Sequence, residues 1–258
     1  MRSTIILWGM LLSCAALPQA ATAQMQAVAT GDAPKAYLTA EQLPDARAYL
    51  SAPPAPGTPA FAADRAAYEA ALKDKDGPAW KRAQSQLSVR SPAVQGQLMC
   101  AIGVKVDPTP GSAFGRLMQR TALTLGTASE QSKAVWNRDR PYVGDAAPVA
   151  CDPELDFGAH SASYPSGHAG LGWLWGMVLA EIAPERAGQA LAWGAEIGSN
   201  RVACRVHYPS DIAAGRQLGA ALYARLQGDS AFRADMVAAK VEVAAAKAAG
   251  ATPSCPTE

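Results

Sequence analysis

Histidine is nearly absent from this 258-residue chain, which has three. Imidazole chemistry is therefore confined to His160, His168 and His207. Neither sign of charge is in excess. The net charge is +1, and setting aside Arg2 leaves basic and acidic residues in balance. That excludes a global basic field able to hold nucleic acid or an anionic membrane, so any affinity for anions must be local. Past residue 23 no stretch reaches the roughly 18–20 uninterrupted apolar residues of a membrane span. The longest candidate, 171–182, is broken by glycines and runs into Glu181 and Pro184, which argues against a membrane-embedded site. No pair of cysteines has C-x-x-C spacing, so a structural zinc site is not expected.

What is present is a chain 49% hydrophobic, with alanine- and leucine-rich segments outweighing β-branched ones. It reads as an all-α fold with one helical domain and one core. Residues 1–23 have the pattern of a signal peptide: Arg2, an apolar stretch from Ile5 to Leu17, and Ala21-Thr22-Ala23 before Gln24. Periplasmic export is expected. Leu11-Leu12-Ser13-Cys14 resembles a lipobox and makes a lipoprotein the lesser alternative. Cys100, Cys151, Cys204 and Cys255 remain after cleavage. In an exported chain they read as two disulfides with three connectivities open, and buried free thiols are the alternative. Residues 24–60 are rich in alanine and proline and read as an extended segment leading into a helical domain at 61–258. Helical patterns cover 64–75, a start at Pro78, 114–135, 169–182, 186–197, 212–226 and 232–249. Trp173, Trp175 and Trp193 fall on these helices and read as core.

Three short stretches concentrate the chemistry: Lys133-x6-Arg140-Pro141, then Pro165-Ser166-Gly167-His168, then Arg201-x5-His207-x3-Asp211. Lys133 and Arg140 stand two helical turns apart, so the spacing predicts one helix face, ending at Arg140 because Pro141 follows. Arginine offers a fork of donors matched to phosphate oxygens, and lysine a compact charge. The bland alternative for the pair is a solvated charged face, because Arg138 and Asp139 also lie here. Ser166 is a favoured N-cap for the apolar helix, whose start is a ready anion site, and His168 there is placed to give a proton to a leaving oxygen. His207 and Asp211 read as a pair on a turn entering the helix at Ile212. The carboxylate fixes the ring tautomer and frees the other nitrogen as a nucleophile, with Arg201 adding a second guanidinium. Three cations with a paired imidazole and carboxylate point to phosphoryl chemistry.

In order, residue type and spacing these stretches resemble the signature of the phosphatidic acid phosphatase type 2 superfamily, and most closely its exported bacterial class A non-specific acid phosphatases. The resemblance extends through Phe61-Ala-Ala-Asp-Arg-Ala-Ala-Tyr68 and Gly194-Ala-Glu-Ile-Gly198, covering roughly 40–240. It implies an all-α fold and an acid phosphatase that acts without metal or cofactor on small phosphomonoesters, with phosphotransfer when an alcohol replaces water. It further implies that His207 is the nucleophile forming a phosphohistidine, that Asp211 orients it, and that His168 protonates the leaving group. Lys133, Arg140, Ser166, Gly167 and Arg201 would bind the phosphate oxygens. Asn200 departs from the pattern, which has serine there. Since asparagine also donates hydrogen bonds, a tuned site is expected.

The alternatives are a vanadate-dependent haloperoxidase with the same oxyanion cradle and a phosphate-binding protein without turnover. The intact His168, His207 and Asp211 argue against pure binding. A metal site built from His160, His168, His207 and Asp211 is disfavoured because Lys133, Arg140 and Arg201 would repel a cation. His160 itself matches no catalytic position and reads as a solvated loop residue. The alanine-rich last helix leaves a homo-oligomer open.

Overall fold

The computed structural model describes residues 34–157 and 161–255. The leader at 1–23, its lipobox-like cysteine and His160 lie outside the described residues. Among the described residues there are eight α-helices and no strand. They are α1 (Pro59–Ala71), α2 (Pro78–Ser85), α3 (Pro92–Ile102), α4 (Ala113–Trp136), α5 (Gly167–Ile182), α6 (Ala187–Ala203), α7 (Pro209–Leu226) and α8 (Ser230–Ala248). The fold is all-α. No helix among the described residues is long and apolar enough to cross a membrane.

Local sequence explains most of the starts. Thr58, Ser91, Ser112, Ser166 and Asp229 cap α1, α3, α4, α5 and α8, each accepting a first-turn backbone N–H on its side chain. Pro59, Pro78, Pro92 and Pro209 occupy first helical positions, where the missing N–H costs no bond. Helix α3 has no counterpart among the segments expected from sequence. Upstream of α1, short 3₁₀ turns at Ala40–Gln42 and Ala46–Ala48 carry the chain along the core, and Tyr37, Leu38, Ala46 and Leu50 are buried in it.

Helix α5 is the centre. Leu171, Leu174, Trp175, Val178, Leu179 and Ile182 are buried along it, as its nearly continuous apolar sequence requires. Helix α6 packs on one side and α7 on another, and α4 packs on both α5 and α8. The close approach depends on glycine. A Cβ at Gly172 would come within 2.6 Å of the Gly194 carbonyl of α6, and one at Gly215 of α7 would collide with the Ser166 carbonyl. The latter contact seats the start of α7 against the start of α5, and there the Ser166 N–H donates to the Asp211 carbonyl at 3.0 Å. Trp175 and Trp193 stack in the core, whereas Trp173 is half-buried beneath the Arg216 guanidinium.

A second apolar cluster, including Tyr68, Trp80, Tyr142, Val206 and Tyr208, anchors the loops flanking the site. The disulfide Cys151–Cys204 lies inside it, and Cys100–Cys255 ties the C-terminal tail to α3. Of the three connectivities, the cysteines adopt this one.

Candidate functional site

The ends of four helices meet at one cavity of about 340 Å³, lined among others by Ser129, Lys133, Arg140, Gly167, His168, Arg201 and His207. Its composition follows from the fold. Helix α4 supplies Ser129 and Lys133, the start of α5 supplies Gly167 and His168, the last turn of α6 supplies Arg201, and His207 sits just before α7. Three cations thus face one small volume without a carboxylate among the buried groups of its wall. Glu130, bonded to Lys133 at 3.1 Å, is largely exposed at the rim.

Arg140 does not share a helix face with Lys133. Helix α4 stops at Trp136, and Asn137 takes the left-handed conformation (φ 42°), a turn that asparagine tolerates better than most residues. The chain then doubles back, and Arg140 enters the cavity from the loop. Its guanidinium donates to the Ser161 carbonyl at 2.9 Å, to the Val206 carbonyl at 2.8 Å and to His207 Nε2 at 2.9 Å.

That last bond fixes the histidine. A guanidinium only donates, so Nε2 is the accepting nitrogen and the proton of His207 is on Nδ1. Nδ1 faces Asp211 Oδ2 and the Ser163 hydroxyl, each at 3.3 Å. Asp211 is fully buried in the first turn of α7 rather than on the preceding turn, and its Oδ2 also accepts from the Tyr208 backbone N–H at 2.8 Å. Burial raises the carboxyl pKa, but the bond from His207, the charge of Arg138 and the Ser163 hydroxyl more than offset it, leaving the group below its ordinary value. His207 goes the other way. Burial and the neighbouring Arg140 charge hold its pKa down at about 3 against the opposing pull of Asp211, so it is neutral.

Behind Asp211 stands a residue with no distinguishing sequence signal. Arg138, which the sequence offered only as a sign of a solvated charged face, is buried. It donates to Asp211 Oδ1 at 2.7 Å and to Asp64 Oδ2 at 2.8 Å, and its guanidinium lies 4.2 Å from the Tyr208 ring centre. Asp64 in turn accepts the Ser210 backbone N–H at 3.0 Å and the Ser210 hydroxyl. Ser163 completes the frame by donating to Asp211 at 2.6 Å.

The opposite wall is short of partners. Arg201 is buried, and among the described residues its Nε and Nη1 have no hydrogen-bond partner; neither does the Ser129 hydroxyl. Burial and repulsion by Arg140 lower the Arg201 pKa to about 10, which still leaves a cation at neutral pH. Burial and Arg140 also lower Lys133. His168 sets its Nε2 3.2 Å from the Leu87 carbonyl, so that nitrogen carries the proton; burial and Arg201 hold its pKa well below the ordinary value. Both imidazoles are thus held toward the neutral form, against the proton-donating role expected of His168. Ser166 uses its hydroxyl to cap α5 and does not line the cavity. Asn200 points elsewhere, donating to Gln86 at 2.7 Å and Glu196 at 3.2 Å.

The family model of the PAP2 superfamily matches residues 118–227. An acid phosphatase of Zymomonas mobilis subsp. mobilis is 31% identical over 205 residues, covering 80% of this chain and 78% of the relative. A non-specific acid phosphatase of Salmonella typhimurium is 32% identical over 206 residues, covering 79% and 82%. A non-specific acid phosphatase of Providencia stuartii is 28% identical over 212 residues, covering 82% and 86%.

Proposed function

This chain belongs to the PAP2 superfamily, and we propose that it is an exported acid phosphatase that hydrolyses small phosphomonoesters, without a metal, through a phosphohistidine at His207. The observation that carries the reading is Arg201. A buried guanidinium in a cavity wall, with two nitrogens that have no partner among the described residues, is unfavourable unless an anion completes the charge. Lys133, Arg140 and the free backbone N–H groups at the start of α5 converge on the same volume, which fits a tetrahedral dianion. Because these cations already supply the charge that a metal would bring, they also disfavour cation binding there. The two disulfides and the leader pattern support export to an oxidising compartment.

The bond from Arg140 to His207 Nε2 suggests how substrate switches the nucleophile on. An arriving phosphoryl group competes for the guanidinium and releases the Nε2 lone pair, while Asp211 keeps the Nδ1 proton in place. Nε2 then attacks phosphorus in line, the P–N bond forms and the P–O bond to the leaving group breaks. His168 gives its proton to the departing alkoxide. In the second step His168 takes a proton from water, the resulting oxygen attacks phosphorus and the P–N bond breaks. If an alcohol takes the place of water, the product is a new phosphoester. His168 must be charged for the first step although burial and Arg201 hold its pKa low, so the bound dianion has to raise it. That favours an optimum at or below neutrality.

The test is phosphate release from p-nitrophenyl phosphate by wild type and His207→Ala, with and without a chelator. We expect chelator-resistant turnover in wild type and a loss of about 10³-fold or more in the variant. Turnover surviving in His207→Ala would remove the nucleophile assignment, and loss of wild-type turnover with chelator would remove the metal-free mechanism.

A further inference from the structure

A second cavity, of about 260 Å³, opens beside the phosphate cavity, and Ala122 lines both. Along α4 the lining positions run Lys133, Ser129, Gly126, Ala122, Gln119 and Gly115. They are steps of three and four residues, hence one stripe of the helix. On α5 the lining passes from His168 through Leu171 in the first cavity to Trp175 in the second. The two cavities therefore form one groove between α4 and α5 with the phosphate cradle at one end. At about 1.5 Å per residue, His168 to Trp175 spans about 10 Å and Ser129 to Gln119 about 15 Å.

Two details of the groove point to an occupant. Gly126 lies inside α4, where glycine is a poor helix former, yet a Cβ built there meets no atom within 4 Å. Packing does not require the glycine, which is exposed and leaves the groove open to solvent at its midpoint. At the far end, Gln119 Oε1 is buried without a hydrogen-bond partner. It is an acceptor that nothing in the described protein satisfies. Trp175 Nε1–H is already committed to the Met118 carbonyl and Thr121 hydroxyl, so the indole can offer a ligand only its apolar ring.

Resting on the phosphatase reading, we propose that this groove is the leaving-group subsite. It favours phosphomonoesters with a long, mainly apolar leaving group carrying a hydrogen-bond donor about 10–15 Å from phosphorus. Ala122, Leu125 and Leu171 give the apolar surface, Gly126 gives the width, and Gln119 reads the donor.

The experiment compares kcat/KM for 4′-aminobiphenyl-4-yl phosphate, biphenyl-4-yl phosphate and β-glycerophosphate in wild type, Gly126→Phe and Gln119→Leu. Gly126→Phe should lower kcat/KM for both biphenyl esters about tenfold or more and leave β-glycerophosphate within about twofold. Gln119→Leu should erase the wild-type preference for the amino-bearing ester over the plain biphenyl ester. Equal loss for long and compact esters, or no loss for the long ones, overturns the subsite. Calorimetry on His207→Ala separates this from the phosphatase reading. Tighter binding of 4′-aminobiphenyl-4-yl phosphate than of inorganic phosphate, abolished by adding Gly126→Phe, upholds the subsite even if wild type hydrolyses nothing. Turnover of all three esters at equal efficiency leaves the phosphatase standing and the subsite refuted.

Discussion

The two walls of the cavity are built on opposite principles. On the His207 side every charged group has its partners. Asp211 accepts from Arg138, Ser163, the Tyr208 backbone and His207, and Asp64 accepts from Arg138 and Ser210. On the facing side, Arg201 and Ser129 are buried with donors or acceptors that no described residue uses. A saturated network in a low-dielectric interior is rigid, because breaking any one bond strands a buried charge. An unsaturated one is a binding site waiting for the missing atoms. The difference separates the groups that aim the nucleophile from those that receive the oxyanion.

Removing one arginine from each wall is the sharpest way to break that comparison. Arg138→Ala strands both Asp64 and Asp211, so we expect a loss of about 3–5 kcal/mol in urea unfolding, with activity falling as the His207 frame loosens. Arg201→Met should do the reverse. It removes a buried cation that lacks partners, so the unfolding midpoint should hold or rise, while kcat/KM falls about 10²–10³-fold. Inorganic phosphate should raise the wild-type melting temperature and leave that of Arg201→Met nearly unmoved. If both variants lost similar stability, the two walls would not differ in kind.

The receiving wall was the more legible from sequence. Lys133, Arg140, Gly167 and Arg201 occur at recognisable spacings, and the structure brings all four to one cavity. The helices other than α3 were legible too, since caps, first-turn prolines and 3.6-residue periodicity are local properties. The aiming wall was only half visible. His207 and Asp211 are close in sequence, but Arg138 meets Asp64 across 74 positions, a pairing that no local pattern encodes. Arg138 lies next to exposed Asp139 and is chemically indistinguishable from a surface arginine until the chain folds back at Asn137. The same left-handed residue overturned the shared helix face of Lys133 and Arg140, because periodicity says where a helix could continue and not where it stops. Ser166 was read both as a cap and as a phosphate ligand, and sequence does not rank the two. A serine at a helix start can cap or bind ligand, and here its hydroxyl caps.

The pH dependence of stability sharpens the comparison with a smaller effect. The His207 pKa is held at about 3, against an ordinary 6.5, and His168 is also held low. Unfolding returns both to the ordinary value, so below about pH 6.5 the unfolded chain binds more protons than the folded one and stability falls with acid. Asp211 acts in the same direction at lower pH, because its depressed carboxyl contributes stability that is lost as pH falls through the folded value. Thermal melts of wild type should therefore decline from pH 6.5 to 4, with His207 alone contributing on the order of 2–3 kcal/mol. His207→Gln, which cannot titrate, should flatten that decline. Saturating inorganic phosphate should flatten it in wild type, since an anion among the cations lets the imidazoles accept protons without unfolding. A decline that phosphate flattens in wild type but not in Arg201→Met would locate the missing partner of the acid-sensitive histidines on the receiving wall. The substrate would then be the element that makes both walls complete.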